Sequence, residues 1–347
     1  MNKALSLILA LALILGIIVV VCVALKKSPL KTKPQNVVEK VKMQLNPLSI
    51  EALREKKYPG SDIKIEETLA PGSNYKRYRA SYMSDGLKIY GLLTVPTSAS
   101  ETKKVPAIVF DHGYIPPEEY HTEEKYIAYV DGLAQEGYVV FKIDLRGHDQ
   151  SDGEPSGAYF SPGYTIDTLN AAESLKKLTY VNQNKIGFWG HSMAGMIGTR
   201  ALAVKPHEFA AAVIWGGVVG SYEDIQREWW SKRNRPTFTP SNRELAANRP
   251  SRQVFIEQHG QPKDGNAFWD SISPLTYIKD INTPIQLDHG EADETVPTEL
   301  SIQFAKKLKD NGKRVELYTY PGSDHNISQG FNLAMKRTVE FFDKYLK

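Results

Sequence analysis

The chain has 347 residues, of which 41% are hydrophobic and 24% charged, a balance typical of a globular protein and not of a disordered or fibrous one. Its formal charge of +3 arises at the N-terminus: the first 33 residues hold five lysines and no acid, and the remainder holds 38 basic and 40 acidic residues. A body this close to neutral lacks the basic footprint of a nucleic-acid-binding protein. The single cysteine, Cys22, excludes a disulfide framework, a thiolate metal site and a catalytic cysteine.

Residues 4–25 form a run of 22 residues without a charge, long enough as a helix to cross a hydrocarbon core of about 30 Å. We predict that residues 1–25 are a transmembrane anchor or uncleaved signal. A cleaved signal peptide is the alternative, although its apolar part usually spans only about 7–15 residues. Four lysines follow the run and one precedes it, a count that favours a cytoplasmic body. A basic start before an apolar run is also typical of export signals, and we expect a single-pass protein with an extracytoplasmic body.

Residues 26–70 are predicted to be a tether and lead-in segment, with a short helix around Ile50–Lys56. A hairpin pattern follows, in which Tyr75–Met83 and Leu87–Val95 flank a turn that contains a glycine. The main domain is predicted to occupy residues 71–347.

From residue 107 onward, short runs rich in Val, Ile and aromatic residues alternate with helical patterns. Most of the runs are apolar on both faces, which is typical of strands covered on both sides. This alternation predicts an α/β fold with a mostly parallel sheet and helices on both faces. The predicted strands are Ala107–Asp111, Tyr138–Asp144, Lys185–Trp189, Ala211–Trp215, Ile285–His289 and Val315–Tyr320, and the predicted helices are Glu124–Gln135, Thr168–Lys177, Met196–Val204, Thr298–Lys309 and a last one from Phe331.

One connection is anomalously long. About 70 residues separate Trp215 from Ile285, whereas a crossover helix needs roughly a dozen. We predict a cap insertion at about residues 218–275, after the sixth strand and over the C-terminal edge of the sheet. Extra helices packed on the side are the alternative. Trp229 and Trp230 in this segment line a pocket or serve ordinary packing.

Residues 185–198 read KIGFWGHSMAGMIG, an apolar strand that runs into a turn and then a helix. A serine hydroxyl is a poor nucleophile at neutral pH, and a sharp strand-to-helix turn lifts its oxygen clear of the sheet. The positions two before and two after must be small because their backbones are crowded; Gly190 fits, and Ala194 adds one methyl to the usual second glycine. Ser192 is therefore the candidate nucleophile, facing the amides of the following helix. An ordinary strand–helix turn is the alternative.

A serine nucleophile needs a base, and the base needs an orienting acid; after such a turn the chain order is Ser, then Asp or Glu, then His. The segment 288–297, DHGEADETVP, and the segment 320–328, YPGSDHNIS, follow two successive strand candidates. Parallel strands end at the same edge of a sheet. We therefore expect Asp293 as the acid and His325 as the base to meet Ser192 there.

Neighbouring side chains are weaker candidates for these roles. His289 lies in or at the end of a strand and is interpreted as structural, and His191 is expected to point away from the nucleophile. Asp293 is favoured over the other acids because it lies several residues into its loop. Those other acids are Asp288, Glu291 and Asp324.

A tetrahedral intermediate carries an oxyanion that needs two backbone donors. The amide of Met193, directly after the nucleophile, is the first candidate. The second is the amide of Tyr114, in the loop His112-Gly113-Tyr114 after a predicted strand, where a glycine permits close approach to a ligand. The Tyr114 side chain lines the substrate pocket or has no role.

Five motifs occur in order: HGY at 112–114, DLRGHDQSDG at 144–153, GHSMAG at 190–195, HGEADETVP at 289–297 and GSDH at 322–325. Together with SDGLKIYGLLTVP at 84–96, they resemble the prolyl oligopeptidase family of serine peptidases, within the α/β-hydrolase superfamily. The resemblance covers about residues 75–347 and implies the α/β-hydrolase fold, a Ser192–Asp293–His325 triad, and peptidase or esterase chemistry. Asp149 stands where the family often has the glycine of RGHG. About 50 residues separate the anchor from the hydrolase domain, too few for the β-propeller of many family peptidases, which favours an esterase.

The predicted function is a serine hydrolase that cleaves peptide, amide or ester bonds through an acyl-enzyme. A carboxylesterase acting on small esters is one alternative, and a catalytically silent binding module at the membrane is another. The expected partners are a short peptide or small ester and the lipid bilayer, without nucleic acid. No cofactor or metal is predicted, because His121-Thr122-Glu123-Glu124 is interpreted as a helix start. The glycosylation triplet at Asn326 is interpreted as chance, since a glycan there would obstruct the site.

Overall fold

The computed structural model describes residues 45–231 and 252–347. The predicted anchor and residues 26–44 of the predicted tether and lead-in segment lie outside these residues, so the anchor stays a prediction from the sequence. Among the helices of the described part, none is both long and apolar enough to span a membrane.

A nine-stranded sheet forms the centre of the described chain, in the order β1-β2-β3-β5-β4-β6-β7-β8-β9. The pairings β1–β2, β2–β3 and β3–β5 are antiparallel and the other five are parallel, which confirms the mostly parallel sheet. The strands are β1 Lys64–Leu69, β2 Tyr75–Ser84, β3 Leu87–Pro96, β4 Val105–Asp111, β5 Val139–Ile143, β6 Val181–His191, β7 Ala211–Trp215, β8 Ile285–Gly290 and β9 Val315–Tyr320.

Helices cover both faces of the sheet, as predicted. The described helices are α1 Ile50–Glu55, α2 Ile127–Gln135, α3 Gly163–Leu175, α4 Ala194–Val204, α5 Tyr222–Ile225, α6 Arg252–His259, α7 Ala267–Ile272, α8 Thr298–Asp310 and α9 Phe331–Leu346. Successive residues of one strand enter opposite cores because side chains alternate across a sheet. Val109 belongs to the core under α3, α4 and α8, whereas Phe110 packs with α2 and α9 and stacks on Trp189 with ring centroids 4.1 Å apart.

Strand β1 is absent from the sequence-based expectation, which places its residues in the lead-in segment. Five of its six residues are exposed, and it pairs only with β2, at the edge of the sheet. An edge strand beyond the covering helices buries no apolar face, so its sequence, KIEETL, lacks the alternation that marks a strand. Ala211–Trp215 is consequently the seventh strand of the sheet and not the sixth.

The described part of the predicted cap packs in two places. Helix α7 contacts α1, and the 3₁₀ turn Pro274–Tyr277 contacts α4, both beside the sheet. In the second place, the Trp229 indole N–H donates to the Thr295 carbonyl over 2.7 Å, and Phe255 stacks on Phe160 with ring centroids 4.9 Å apart. The insertion therefore contacts the loop after β8. That it covers the C-terminal edge of the sheet stays a prediction.

Candidate active site

Ser192 lies in the sharp turn between β6 and α4. Its φ of +55° places a non-glycine residue in the left-handed region, a conformation that costs about 1–3 kcal/mol and persists only when the surroundings impose it. Backbone hydrogen bonds impose it here: the Ser192 amide donates to the Trp215 carbonyl over 2.9 Å, and the amides of Gly195 and Val218 donate to the Ser192 carbonyl. The strand-turn-helix that the sequence predicts is present.

The small residues around this turn are needed because the backbones are crowded. A Cβ at position 190 would lie 3.0 Å from the Cβ of Ala194, and a Cβ at position 195 would lie 2.8 Å from the Val218 amide nitrogen. The alanine at position 194 is compatible with the turn because Gly190, opposite it, has no side chain.

Asp293 and His325 come together from the loops after β8 and β9. His325 Nδ1 lies 2.7 Å from Asp293 Oδ2, and Asp293 Oδ1 accepts the amides of Thr295 and Val296 over 2.7 and 2.8 Å. The Asp293 side chain is fully buried, and that of His325 is 16% exposed. Burial alone would raise the pKa of Asp293, but the hydrogen bonds from His289, His325 and the Val296 amide hold that pKa well below its usual value. The carboxyl group is therefore an anion at neutral pH.

His289 contacts the same carboxylate, a role that the sequence interpretation missed. Its Nε2 lies 3.1 Å from Asp293 Oδ2 and 3.0 Å from the Val296 carbonyl, and its Nδ1 lies 2.7 Å from the Ser301 hydroxyl. Two oxygen acceptors at Nε2 require a proton on that nitrogen, and in a neutral ring Nδ1 then accepts the Ser301 hydroxyl. The signal in the sequence is the four-residue spacing from His289 to Asp293.

The other acids have different partners. Asp288 is buried and accepts the Tyr320 hydroxyl over 2.6 Å, Glu291 accepts the Thr319 hydroxyl over 2.7 Å, and Asp324 accepts the amides of Asn326 and Ser328 in its own loop. Among these acids, Asp293 is the one whose carboxylate contacts His325, and its role as the acid stays a prediction.

A cleft of about 340 Å³ opens above the nucleophile. Ser192 and His325 both line it, without a hydrogen bond between their side chains in the described structure; such bonds are often long in free enzymes and tighten when substrate binds. No carboxylate stands among its lining residues, which are Gly113, Tyr114, Ile115, Lys125, Tyr126, Tyr129, His191, Ser192, His325 and Asn326.

Of the two predicted oxyanion donors, Tyr114 lines this cleft, and Met193 directly follows Ser192, which also lines it. Met193 precedes α4, so its amide is at the positive end of the helix dipole. Tyr114 lines the cleft with a side chain that is 46% exposed. In the part of the chain that the structure describes, neither amide donates to a protein acceptor. A Cβ at position 113 would lie 3.1 Å from Ser192 Cβ, so the loop of Tyr114 adjoins the nucleophile.

Three further sequence interpretations can be compared with the geometry. His191 does not point away from the site: its ring lines the cleft and lies 4.6 Å from the His325 ring. Trp229 and Trp230 pack against Tyr159 and do not line the cleft. Among the described residues, no three His, Cys, Asp or Glu side chains are grouped so as to hold a metal ion.

The chain is similar in sequence to known peptidases and hydrolases. The model of the prolyl oligopeptidase family matches residues 252–347, and that of the alpha/beta hydrolase fold matches residues 106–232. The uncharacterized peptidase YtmA of Bacillus subtilis is 25% identical over 273 residues, 78% of this chain and 94% of its own length. Dipeptidyl-peptidase 5 of Porphyromonas gingivalis is 22% identical; the match covers 82% of this chain but 39% of that protein.

Solved structures share the fold. Est1E from Butyrivibrio proteoclasticus, with ferulic acid bound, is 24% identical with a TM-score of 0.57, covering 76% of this chain and 98% of that one. An acylaminoacyl peptidase of Pyrococcus horikoshii is 22% identical with a TM-score of 0.57, covering 79% of this chain and 42% of that one. The resemblance predicted from the sequence motifs is thereby confirmed: parts of the chain match the models of the prolyl oligopeptidase family and of the alpha/beta hydrolase fold, and its relatives are peptidases and esterases.

Proposed function

We propose that the protein is a serine hydrolase in which Ser192 is the nucleophile, His325 the base and Asp293 the orienting acid. The observation that carries this proposal is the 2.7 Å contact between His325 Nδ1 and Asp293 Oδ2 at the cleft that also exposes Ser192. An ionised, buried carboxylate at Nδ1 keeps the proton on that nitrogen. Nε2 is then the nitrogen free to accept a proton at neutral pH.

The reaction is a two-step acyl transfer. Ser192 Oγ attacks the carbonyl carbon as His325 Nε2 takes the hydroxyl proton, and Asp293 stabilises the imidazolium that forms. The amides of Tyr114 and Met193 donate to the carbonyl oxygen while it carries negative charge, a contribution worth about 3 kcal/mol per donor in such sites. His325 then protonates the leaving group, and water attacks the acyl-enzyme with His325 as base.

The substrate is a short peptide, or another amide or ester, small enough for a cleft of about 340 Å³. The peptidase relatives favour amide cleavage. A carboxylesterase is the alternative, because the same three side chains hydrolyse both kinds of bond and the shape of the pocket selects between them.

A fluorophosphonate probe tests the nucleophile, because it is attacked only by an activated serine. We expect modification of wild-type protein at Ser192 and none of Ser192→Ala, with turnover lowered by about 10⁴-fold or more. Ser100→Ala, an exposed serine in the loop before β4, is the matched control and should react like wild type. Full activity of Ser192→Ala would refute the assignment, and a folded wild-type protein that resists the probe would favour the silent binding module. Rates on short-chain esters and aminoacyl amides then separate esterase from peptidase.

A further inference from the structure

A chain of hydrogen bonds crosses the floor of the cleft, from the oxyanion loop to the loop of the base. The Gly113 amide donates to the Tyr126 hydroxyl over 2.9 Å. The Tyr126 hydroxyl lies 2.7 Å from His191 Nδ1, and His191 Nε2 lies 3.0 Å from the His325 carbonyl. We name this chain the Tyr126–His191 bridge; it joins the loop after β4 to the loop after β9.

The proton positions in this bridge follow from its ends. The His325 carbonyl can only accept, so His191 Nε2 carries a proton. Burial, together with the neighbouring His325, lowers the pKa of His191 to about 3, so its ring is neutral and Nδ1 is an acceptor. Burial also raises the pKa of Tyr126, which keeps its proton and donates it to Nδ1. Every hydrogen of the bridge is thereby directed from the oxyanion loop toward the base.

The backbone around the Tyr126–His191 bridge is held in an unfavourable conformation. Tyr126 has φ +62° and ψ +22°, a left-handed conformation that is rare for a bulky residue. Any Cβ at position 113 would lie 2.7 Å from the Tyr126 hydroxyl oxygen and 3.0 Å from His191 Nδ1. The bridge therefore joins a tyrosine in a strained backbone conformation to a position that requires glycine.

We propose that Tyr126 and His191 are positioning residues, which set the Gly113–Tyr114 peptide and the backbone of His325 at a fixed separation around Ser192. This inference rests on the proposed function, since it assigns the roles of donor and base to Tyr114 and His325. Tyr126 acts on the donor Tyr114 through the amide of Gly113. His191 acts on the base through the backbone carbonyl of His325. In this role the two residues bond to the loops of the donor and the base, and not to the acyl carbon or its oxygen.

Tyr126→Phe is the most conservative test, because it removes one oxygen. The ring keeps its edge-to-face contacts with Phe110 and Trp189, at centroid distances of 5.6 and 6.2 Å. We expect kcat to fall about tenfold to a hundredfold, as when reacting groups shift by less than about 1 Å. KM should stay within about threefold, because ground-state contacts with substrate are unchanged. The rate of fluorophosphonate modification at Ser192 should fall in parallel with kcat.

Tyr58→Phe is the matched control. The Tyr58 hydroxyl is also buried and donates to the Leu53 carbonyl over 2.7 Å. Tyr58 does not line the cleft. We expect this variant to lose stability like Tyr126→Phe while its kcat stays within about twofold of wild type. An equal loss of kcat in both variants would show that Tyr126 matters only for folding.

Variants at position 191 test the other half of the bridge. His191→Phe removes both ring nitrogens, whereas the side-chain amide of His191→Gln offers one donor and one acceptor. We expect a loss of about tenfold to a hundredfold in kcat for the first and partial rescue by the second. The double variant Tyr126→Phe, His191→Phe should be no slower than the worse single variant by more than about threefold, since residues that act as a unit are not additive.

The outcomes separate this inference from the proposed function. Wild-type protein that is neither labelled nor active refutes the proposed function, and the bridge then has no catalytic role. Labelled, active wild-type protein whose kcat is unchanged in Tyr126→Phe refutes the bridge alone. Losses that multiply in the double variant refute it as well.

Discussion

Replacing Asp293 by asparagine separates the charge of the acid from its shape. The carboxylate accepts four hydrogen bonds, two at Oδ1 from the amides of Thr295 and Val296 and two at Oδ2 from His325 and His289. Asparagine keeps its oxygen for the two backbone amides. Its NH₂ group then stands where Oδ2 was, 2.7 Å from His325 Nδ1 and 3.1 Å from His289 Nε2.

The expected loss follows from this geometry. Two N–H groups cannot face an NH₂ group, so His325 takes the tautomer with its proton on Nε2. That nitrogen can no longer accept the Ser192 proton, and no carboxylate stabilises the imidazolium. We expect kcat to fall by about 10³- to 10⁴-fold with KM within about threefold, the effect of the same change in other triads.

The assay is steady-state hydrolysis of a short-chain ester, together with the rate of fluorophosphonate modification at pH 7. Asp324→Asn is the matched control: it removes a charge next to His325, and its carboxylate serves its own loop. We expect the control to stay within about threefold of wild type, as for surface substitutions. A fall of less than about tenfold in Asp293→Asn, or equal falls in the two variants, would contradict the assignment of the acid.

Stability provides a second readout for the same variant. The pKa of Asp293 is depressed in the folded protein, so its contribution to stability is present above the pKa of an unfolded aspartate, about 3.9, and is lost as pH falls below that value. The unfolding free energy of wild type should therefore decrease more steeply on acidification than that of Asp293→Asn. Urea unfolding measured between about pH 5 and pH 2, the approximate limits of the titration, gives the unfolding free energy of both proteins against pH. Parallel curves for wild type and Asp293→Asn would contradict this linkage.

Two further substitutions have effects that the structure determines. Gly216→Ala should lower both kcat and the melting temperature, because Gly216 has φ +52° and an added Cβ would lie 3.0 Å from the His325 carbonyl oxygen and 3.2 Å from His325 Nδ1; unchanged kinetics in a purified, folded variant would contradict this. Asp111→Asn should stabilise the protein increasingly from pH 4 to 8, because burial raises the pKa of Asp111 to about 8 and one of its oxygens has no hydrogen-bond partner. Across that window the raised pKa lowers the unfolding free energy of wild type by an amount on the order of 5 kcal/mol. Equal slopes of unfolding free energy against pH in wild type and Asp111→Asn would refute the raised pKa of Asp111.

The alternation of strands and helices could be predicted from the sequence because the pattern of apolar residues within each element is local. Runs such as Ala107–Asp111 and Ala211–Trp215 are apolar on both faces, and the structure buries them on both faces. The amphipathic pattern from Phe331 likewise corresponds to helix α9, Phe331–Leu346. Strand β1 and the first turns of α3 were not readable, because one has no buried face and the other begins with GYTI, a sequence without a cap.

The candidate triad was also readable, since chain order and the common direction of parallel strands bring the ends of β6, β8 and β9 to one edge. The sequence by itself determined which residues reach that edge: Ser192, Asp293 and His325. What only the tertiary structure decided is how they are held. His289 and His191 are polar side chains beside a motif, and no local pattern distinguishes a structural histidine from one that contacts the acid or the base. Tyr126 meets Gly113 and His191 through hydrogen bonds between segments 13 and 65 residues apart. Such contacts depend on distances across the folded chain, which are set by the packing of the sheet and its helices and leave no periodic mark in the sequence.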